Sequence, residues 1–150
     1  MKTGSRTRSV ADVDTKMLGS LLGYQLRRAQ ARVFADFMQT MAGERITPGQ
    51  FGVLSLIGGN VGVNQSTLAS ALGIERSTMV AAISGLEDRG LVNRGESSAD
   101  KRSYALSLTS EGLSLLNQIK AKVNRHEEAI AAKLDGSEKE LLRELLKKIG

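Results

Sequence analysis

Cysteine is absent from this chain of 150 residues, and histidine and proline each occur once. Without cysteine there is no disulfide, no thiol nucleophile and no thiolate metal site, and a reducing cytoplasm fits this composition. His126 is the single histidine, which argues against a metal centre, and as a lone base it lacks a nucleophile with an orienting partner. The sequence therefore predicts a protein that is not an enzyme and needs no cofactor.

Long apolar runs are also missing. The longest, around residues 51–57, is too short to cross a bilayer. The first 14 residues carry Lys2, Arg6 and Arg8 without the apolar stretch of a secretory signal. We interpret residues 1–14 as a mobile tail ahead of a single domain over residues 15–150.

The net charge of +5 permits a polyanionic partner without requiring one. Residues 64–109 are nevertheless neutral, because five basic side chains offset five acidic ones. These are Arg76, Arg89, Arg94, Lys101 and Arg102 against Glu75, Glu87, Asp88, Glu96 and Asp100. Electrostatic attraction to nucleic acid then requires that the acids face inward or pair with neighbouring bases.

Apolar residues spaced three and four apart predict a long helix over residues 15–41, closed by Gly43. Residues 47–50 predict the start of a second helix, with Thr47 as cap and the only proline at the first position. The glycine-rich residues 58–62 end that helix. They do not have the spacing of a dinucleotide-binding fingerprint, and no βαβ unit surrounds them.

The most informative stretch is residues 64–109, which predicts a winged helix-turn-helix, a shape suited to double-stranded DNA. Its parts are a helix over 64–72 capped by Asn64, a turn at Gly73-Ile74, a recognition helix over 75–89, a strand over 90–94, a charged loop over 95–102 and a strand over 103–108. In the last strand Tyr104, Leu106 and Leu108 alternate with small residues and are expected to face inward.

Two further amphipathic helices are predicted after this unit. Thr109 caps a long one that Asp135-Gly136 ends, and Ser137 to Glu140 form a capping box for the last. The three flanking helices offer more apolar surface than the winged helix-turn-helix unit can cover. We therefore expect a homodimer, which also suits DNA half-sites; the alternative is that the helices fold back on their own domain. The fold class is thus mainly α: a winged helix-turn-helix unit over 46–108 with a two- to three-stranded wing, flanked by dimerisation helices over 15–45 and 109–150.

From about Leu18 onward, the chain resembles the MarR family of bacterial transcription regulators. Each matching segment alone is weakly specific, but their order and spacing together are specific. The segments are Ile46 to Leu54, Asn64 to Ala69, Gly73 to Thr78, Leu86 to Val92, Asp100 to Arg102 and Leu106 to Thr109.

The resemblance implies a homodimer whose recognition helices enter successive major grooves of a pseudo-palindromic operator, while the wings reach toward the minor grooves. It also implies a pocket between the dimer helices and the reading domain, in which a small ligand, often an aromatic acid, loosens DNA binding. The first helix resembles that of members governing aromatic-acid breakdown. The expected effector is therefore an aromatic acid or its coenzyme A thioester.

The recognition helix is expected to read DNA with its first turn. Arg76 can donate two hydrogen bonds to a guanine, and Ser77 and Thr78 can meet bases or phosphates; the alternative is a solvated, merely capping turn. Val80 and Ala81 depart from the family pattern of a hydroxyl and a basic residue, although valine can still touch a thymine methyl. Ser84 lies on the same side of this helix, and Ser84 and Arg94 are also expected to contact DNA.

Other DNA contacts are expected from the wing and the preceding helix. The resemblance implies that Arg102 enters a minor groove beside Lys101, with Asp100 orienting it or pairing with Arg94; the alternative is an ordinary charged hairpin loop. Gln65 and Ser66 can meet a phosphate or merely cap their helix.

Candidate ligand residues are basic or aromatic. The basic ones can bind a carboxylate or coenzyme A phosphates, or form a solvated face or pair with acids of a partner subunit. The aromatic ones and the histidine are more often core residues than ligand contacts. The candidates are Tyr24, Arg27, Arg28, Arg32, Phe34, Phe51 and His126.

The sequence therefore predicts a cytoplasmic, homodimeric and ligand-responsive DNA-binding regulator, a repressor released from double-stranded DNA by a small effector. The alternative is a winged-helix protein-interaction module that never meets DNA. The salt dependence of binding distinguishes these two functions, because phosphate contacts release counterions.

Overall fold

The computed structural model describes residues 15–96 and 104–149. The predictions for the tail and for most of the wing loop, including Asp100, Lys101 and Arg102, lie outside these residues. The chain divides into two compact units, one up to Phe34 and one from Ala35 onward. The prediction of a single domain over residues 15–150 stays a prediction.

In the first unit, helix α1 (Lys16–Gly19) is followed by the start of α2 (Leu22–Thr40). The prediction of one unbroken helix over residues 15–41 was therefore wrong. Side chains compete with the helical backbone at the break: the Ser20 hydroxyl donates to the Met17 carbonyl at 2.8 Å, and the Gln25 side chain donates to the Gly19 carbonyl at 2.7 Å.

The second unit contains the end of α2 and the remaining elements. They are α3 (Pro48–Gly59), α4 (Gln65–Leu72), α5 (Arg76–Asp88), β1 (Val92–Glu96), β2 (Tyr104–Leu108), α6 (Ser110–Ile130) and α7 (Gly136–Lys147). The strands pair antiparallel, with Val92 opposite Leu108 and Glu96 opposite Tyr104, and Val63 adds an isolated bridge to Leu106. The predicted class, mainly helical with a small wing sheet, is confirmed.

Three predicted helix caps are present. Thr47 accepts from the Gln50 amide while the Gln50 side chain accepts from the Thr47 amide. Asn64 accepts from the amide of Thr67, and Thr109 accepts from that of Gly112. Each satisfies a helix amide that has no partner within its helix.

Helix α2 ends at Thr40, one residue before the predicted end at residue 41, and the following turn places Arg45 in the left-handed region with φ 53°. Two other predicted boundaries were wrong. Helix α6 ends at Ile130 instead of reaching Asp135. Asp135, not Ser137, caps α7, because its carboxylate accepts from the Glu138 amide at 2.9 Å while Glu138 accepts from the Asp135 amide.

The core of the second unit joins residues from α2, α3, α4, α5, the strands and α6. Its fully buried members include Val53, Leu54, Ile57, Leu68, Met79, Ile83, Leu86, Leu106 and Ile119. One residue expected to face inward does not, because Tyr104 is 62% exposed. Among the described residues, no helix combines the length and apolar character needed to cross a membrane.

The start of α6 lies directly against the backbone that follows α5. The Thr109 amide donates to the Leu91 carbonyl at 3.1 Å, and the Thr109 hydroxyl donates to the Gly90 carbonyl at 2.7 Å. A Cβ added at Gly112 would lie 2.0 Å from the Leu91 carbonyl oxygen. Only glycine permits this approach, which joins the wing sheet to α6.

Replacing Gly112 with alanine should therefore destabilise the fold by about 1–3 kcal/mol, because backbone has to shift to admit the methyl group. Gly49→Ala is the matched control: nothing lies within 4 Å of its added Cβ, and alanine favours a helix by about 0.5–1 kcal/mol. Urea denaturation measures both. Equal stability of the two variants would contradict the close approach.

Candidate nucleic-acid interface

Helix α5 is anchored by one face and exposed on the other. Met79, Ile83 and Leu86 are fully buried, and their spacing of four and three residues places them on one stripe. Arg76 and the two residues after it are exposed. The first turn of α5 is thus presented to solvent by a helix whose rotation is fixed by its buried side.

The helix-turn-helix geometry is set by the turn between α4 and α5. Gly73 ends α4 in the left-handed conformation, with φ 62°, which glycine adopts without strain. Ile74, which packs against the core, donates its amide to the Ala69 carbonyl at 3.1 Å. At its other end α5 closes through Gly90, with φ 66°, whose amide donates to the Glu87 carbonyl at 2.7 Å.

Arg94 on β1 connects three elements. Its Nε donates to Glu87 Oε2 at 2.6 Å, and its two terminal nitrogens lie 3.4 Å from Gln65 Oε1 and 3.5 Å from Ser84 Oγ. The guanidinium therefore links β1 with α5 and α4. The Arg94–Glu87 pair also meets part of the electrostatic requirement for DNA binding, because it neutralises one acidic side chain of the winged helix-turn-helix unit with a neighbouring base.

A cleft of about 340 Å³ opens where α4, α5 and β2 meet. Its walls carry amide, hydroxyl, guanidinium and apolar groups. They are Asn64, Gln65, Ser66, Arg76, Val80, Arg94, Tyr104 and Leu106. The mixture suits a polar surface that also has an apolar edge.

The turn after α2 is tied to both α5 and α6. Arg89 donates from its two terminal nitrogens to the Arg45 and Glu44 carbonyls, each at 2.8 Å. Lys122 on α6 donates to Glu44 Oε1 at 2.6 Å, and this hydrogen bond lowers the pKa of Glu44 below its usual value. The C-terminal end of α5 is thereby held against the turn between α2 and α3.

Six of the residues predicted from sequence to meet DNA share this cleft or its rim. Gln65, Ser66, Arg76, Val80 and Arg94 line it, and Ser84 contacts Arg94. Ser77, Thr78 and Ala81 are exposed on α5 but are not among its walls. The roles of all nine stay predictions.

Sequence reasoning missed three cleft residues, of which Leu106 is a buried residue that was assigned to the inner face of its strand. Asn64 was identified only as a cap, and it also lines the cleft. Tyr104 was assigned to the inner face of its strand by alternation, yet it lies at the end of the sheet, opposite Glu96. There the sheet extends past the core, so alternation no longer implies burial. The position of this tyrosine directly after the predicted wing loop was the sequence feature that could have indicated its exposure.

The candidate ligand residues fall in both units and are described separately. In the first, Tyr24 is half-buried, with the Arg28 guanidinium carbon 5.9 Å from its ring centroid. Arg27 and Arg32 are exposed, and Phe34 is 46% exposed.

In the second unit, Phe51 and His126 both contact Phe37, with ring centroids 6.1 and 5.3 Å away. The His126 ring is buried, and its Nδ1 lies 2.6 Å from Asp36 Oδ1. This pairing gives His126 a structural contact; a role in ligand binding stays a prediction. Within the described ranges, no group of histidine and acidic side chains could hold a metal ion.

The sequence is similar to known regulators. The MarR family model matches residues 46–103. A putative transcriptional regulatory protein for the hcr operon of Thauera aromatica is 38% identical over 85% of this chain and 78% of its own length. The chain belongs to the MarR family.

Solved structures agree with this assignment. The transcriptional repressor CouR bound to a 23-mer DNA duplex is 41% identical, covering 91% of this chain and 97% of its own, with a TM-score of 0.85. CouR bound to p-coumaroyl-CoA has a TM-score of 0.84 at 40% identity, covering 91% and 96%. The PcaV regulator of Streptomyces coelicolor with its natural ligand is 28% identical, covering 91% and 94%, with a TM-score of 0.82.

Proposed function

We propose that this protein is a transcriptional repressor that binds an operator as a homodimer and leaves it when a small aromatic effector binds. The observation that carries the DNA role is the presentation of α5. Its first turn exposes an arginine and two hydroxyl residues while its opposite stripe is fully buried. A helix held in this way can enter a major groove without rotating away from the bases.

In this proposal the residues of the cleft and the wing have different roles in DNA binding. Arg76 reads a guanine, because guanidinium groups donate two parallel hydrogen bonds to that base. Ser66 and the amides at the start of α4 meet a phosphate, since helix N-termini attract anions. Arg94 positions the wing against α5, and Arg102 reaches the minor groove.

The homodimer is proposed from the uncovered apolar side chains of α7. Leu141, Leu142, Leu145 and Leu146 are between 43% and 59% exposed, and they recur on a helix whose remaining residues are mostly charged. A second copy can bury them, and a two-fold protein matches two half-sites of one duplex.

For the effector we propose an aromatic acid or its coenzyme A thioester. The similarity to CouR, solved with p-coumaroyl-CoA, supports this class. So does the basic surface of α2, because Arg27, Arg28 and Arg32 supply cations for phosphates or a carboxylate. We propose no catalytic role. A DNA-binding regulator of a bacterium would act in the cytoplasm.

Arg76→Ala should weaken operator binding by at least about tenfold, since a bidentate guanine contact contributes about 1–3 kcal/mol in each half-site. Binding to a duplex from the protein's own promoter is measured by fluorescence anisotropy over a salt series. Arg125→Ala is the matched control, because Arg125 is an exposed arginine of α6 that does not line the cleft.

Wild-type affinity that falls steeply with salt supports the DNA role, because phosphate contacts release counterions. If Arg76→Ala binds the operator as tightly as the wild type, the proposed base contact by the first turn of α5 is wrong. Affinity that hardly responds to salt, or that is seen only for proteins, would favour a protein-interaction module.

The effector class is tested by adding p-coumarate, p-coumaroyl-CoA or free coenzyme A to the protein–operator complex. Release by the thioester should need a higher concentration in Arg28→Ala and Arg32→Ala, because each loses a cation for the phosphates. Release by the free acid should change less in these variants. A thioester response identical to that of the wild type would contradict a phosphate role for these arginines.

A further inference from the structure

Beyond its first turn, the outward face of α5 has few groups that can hydrogen-bond to a base. Residues 76, 80 and 84 are one turn apart and therefore follow one another on this face. Of these, Ser84 is half-buried with its hydroxyl 3.5 Å from an Arg94 nitrogen. Val80 is left as the exposed side chain in the middle of the row, and its neighbour Ala81 has no polar group either.

Val80 is 41% exposed and lines the cleft beside Tyr104 and Leu106. Branching at Cβ leaves a helical valine essentially one rotamer, so its two methyl groups project in a fixed direction. Arg94, the other cationic wall of the cleft, is turned toward Glu87. The centre of the reading face is thus a rigid apolar contact.

Within the major groove, the apolar group presented by a base edge is the C5-methyl of thymine. We propose that Val80 is a specificity-determining residue that selects thymine through this methyl, in place of a hydrogen-bonded readout. This inference rests on the proposed DNA-binding function. It adds which base the middle of α5 selects and by which chemistry.

The spacing along α5 also limits where that thymine lies. Val80 is four positions after Arg76, a rise of about 6 Å along a helix. Base pairs are about 3.4 Å apart, so the two side chains reach positions about two base pairs apart. Each half-site should therefore contain a thymine about two base pairs from the guanine that Arg76 contacts.

The test replaces each operator thymine in turn with deoxyuridine, which lacks only the methyl group. The operator is first mapped by protection of the protein's own promoter fragment, and affinities are measured by fluorescence anisotropy. For the wild type, one symmetric pair of positions should be sensitive. Loss of one buried methyl corresponds to about fourfold weaker binding for one half-site and about 15-fold for both.

Val80→Ala should bind the thymine and deoxyuridine duplexes equally, with nearly the wild-type affinity for the latter. That retained binding also shows that the variant is folded. Val61→Ala is the matched control, because Val61 is an 85% exposed valine that is not among the cleft walls. It should keep the full sensitivity to deoxyuridine.

The inference is overturned if no thymine is sensitive, or if Val80→Ala retains the sensitivity. In either case salt-dependent binding to the operator leaves the proposed function standing. If the wild type binds no DNA duplex, both the proposed function and this inference fail.

Discussion

The burial of one face of α5 is the constraint on which the candidate interface depends. Met79, Ile83 and Leu86 are fully removed from solvent, and each such burial contributes about 1.5–3 kcal/mol. Rotating the helix would expose them, so the core determines which residues point outward. Arg76 and Val80 lie on the exposed side because the sequence places apolar residues on the other. The reading surface is a consequence of the packing beneath it.

Polar contacts refine this arrangement in the C-terminal half of α5. Arg94 links its outer side to β1 and α4, and Arg89 ties its C-terminal end to the turn after α2. The Arg94–Glu87 ion pair is partly exposed, and such pairs contribute only about 0–1 kcal/mol. Its main effect is therefore on orientation. The same turn is also hydrogen-bonded to Lys122 of α6. A displacement of this turn would therefore change the position of α5.

Local chemistry explains which features the sequence could predict. The caps at Thr47, Asn64 and Thr109 were readable because each depends on a side chain and an amide three residues away. The prediction that Ser137 caps α7 was wrong because Asp135, two residues earlier, accepts a hydrogen bond from the Glu138 amide instead. The Arg94–Glu87 contact and the exposure of Tyr104 depend on how the wing lies against the core. Neither hydrophobic periodicity nor capping rules report such placements.

In the proposed complex, two copies of α5, held by their cores, enter adjacent major grooves on one side of a duplex. Hydroxyl-radical protection of the promoter fragment measures whether they do. Two symmetric protected regions are expected, with centres about 10–10.5 base pairs apart. A single protected region without symmetry, or protection that does not follow the helical repeat, would contradict this arrangement.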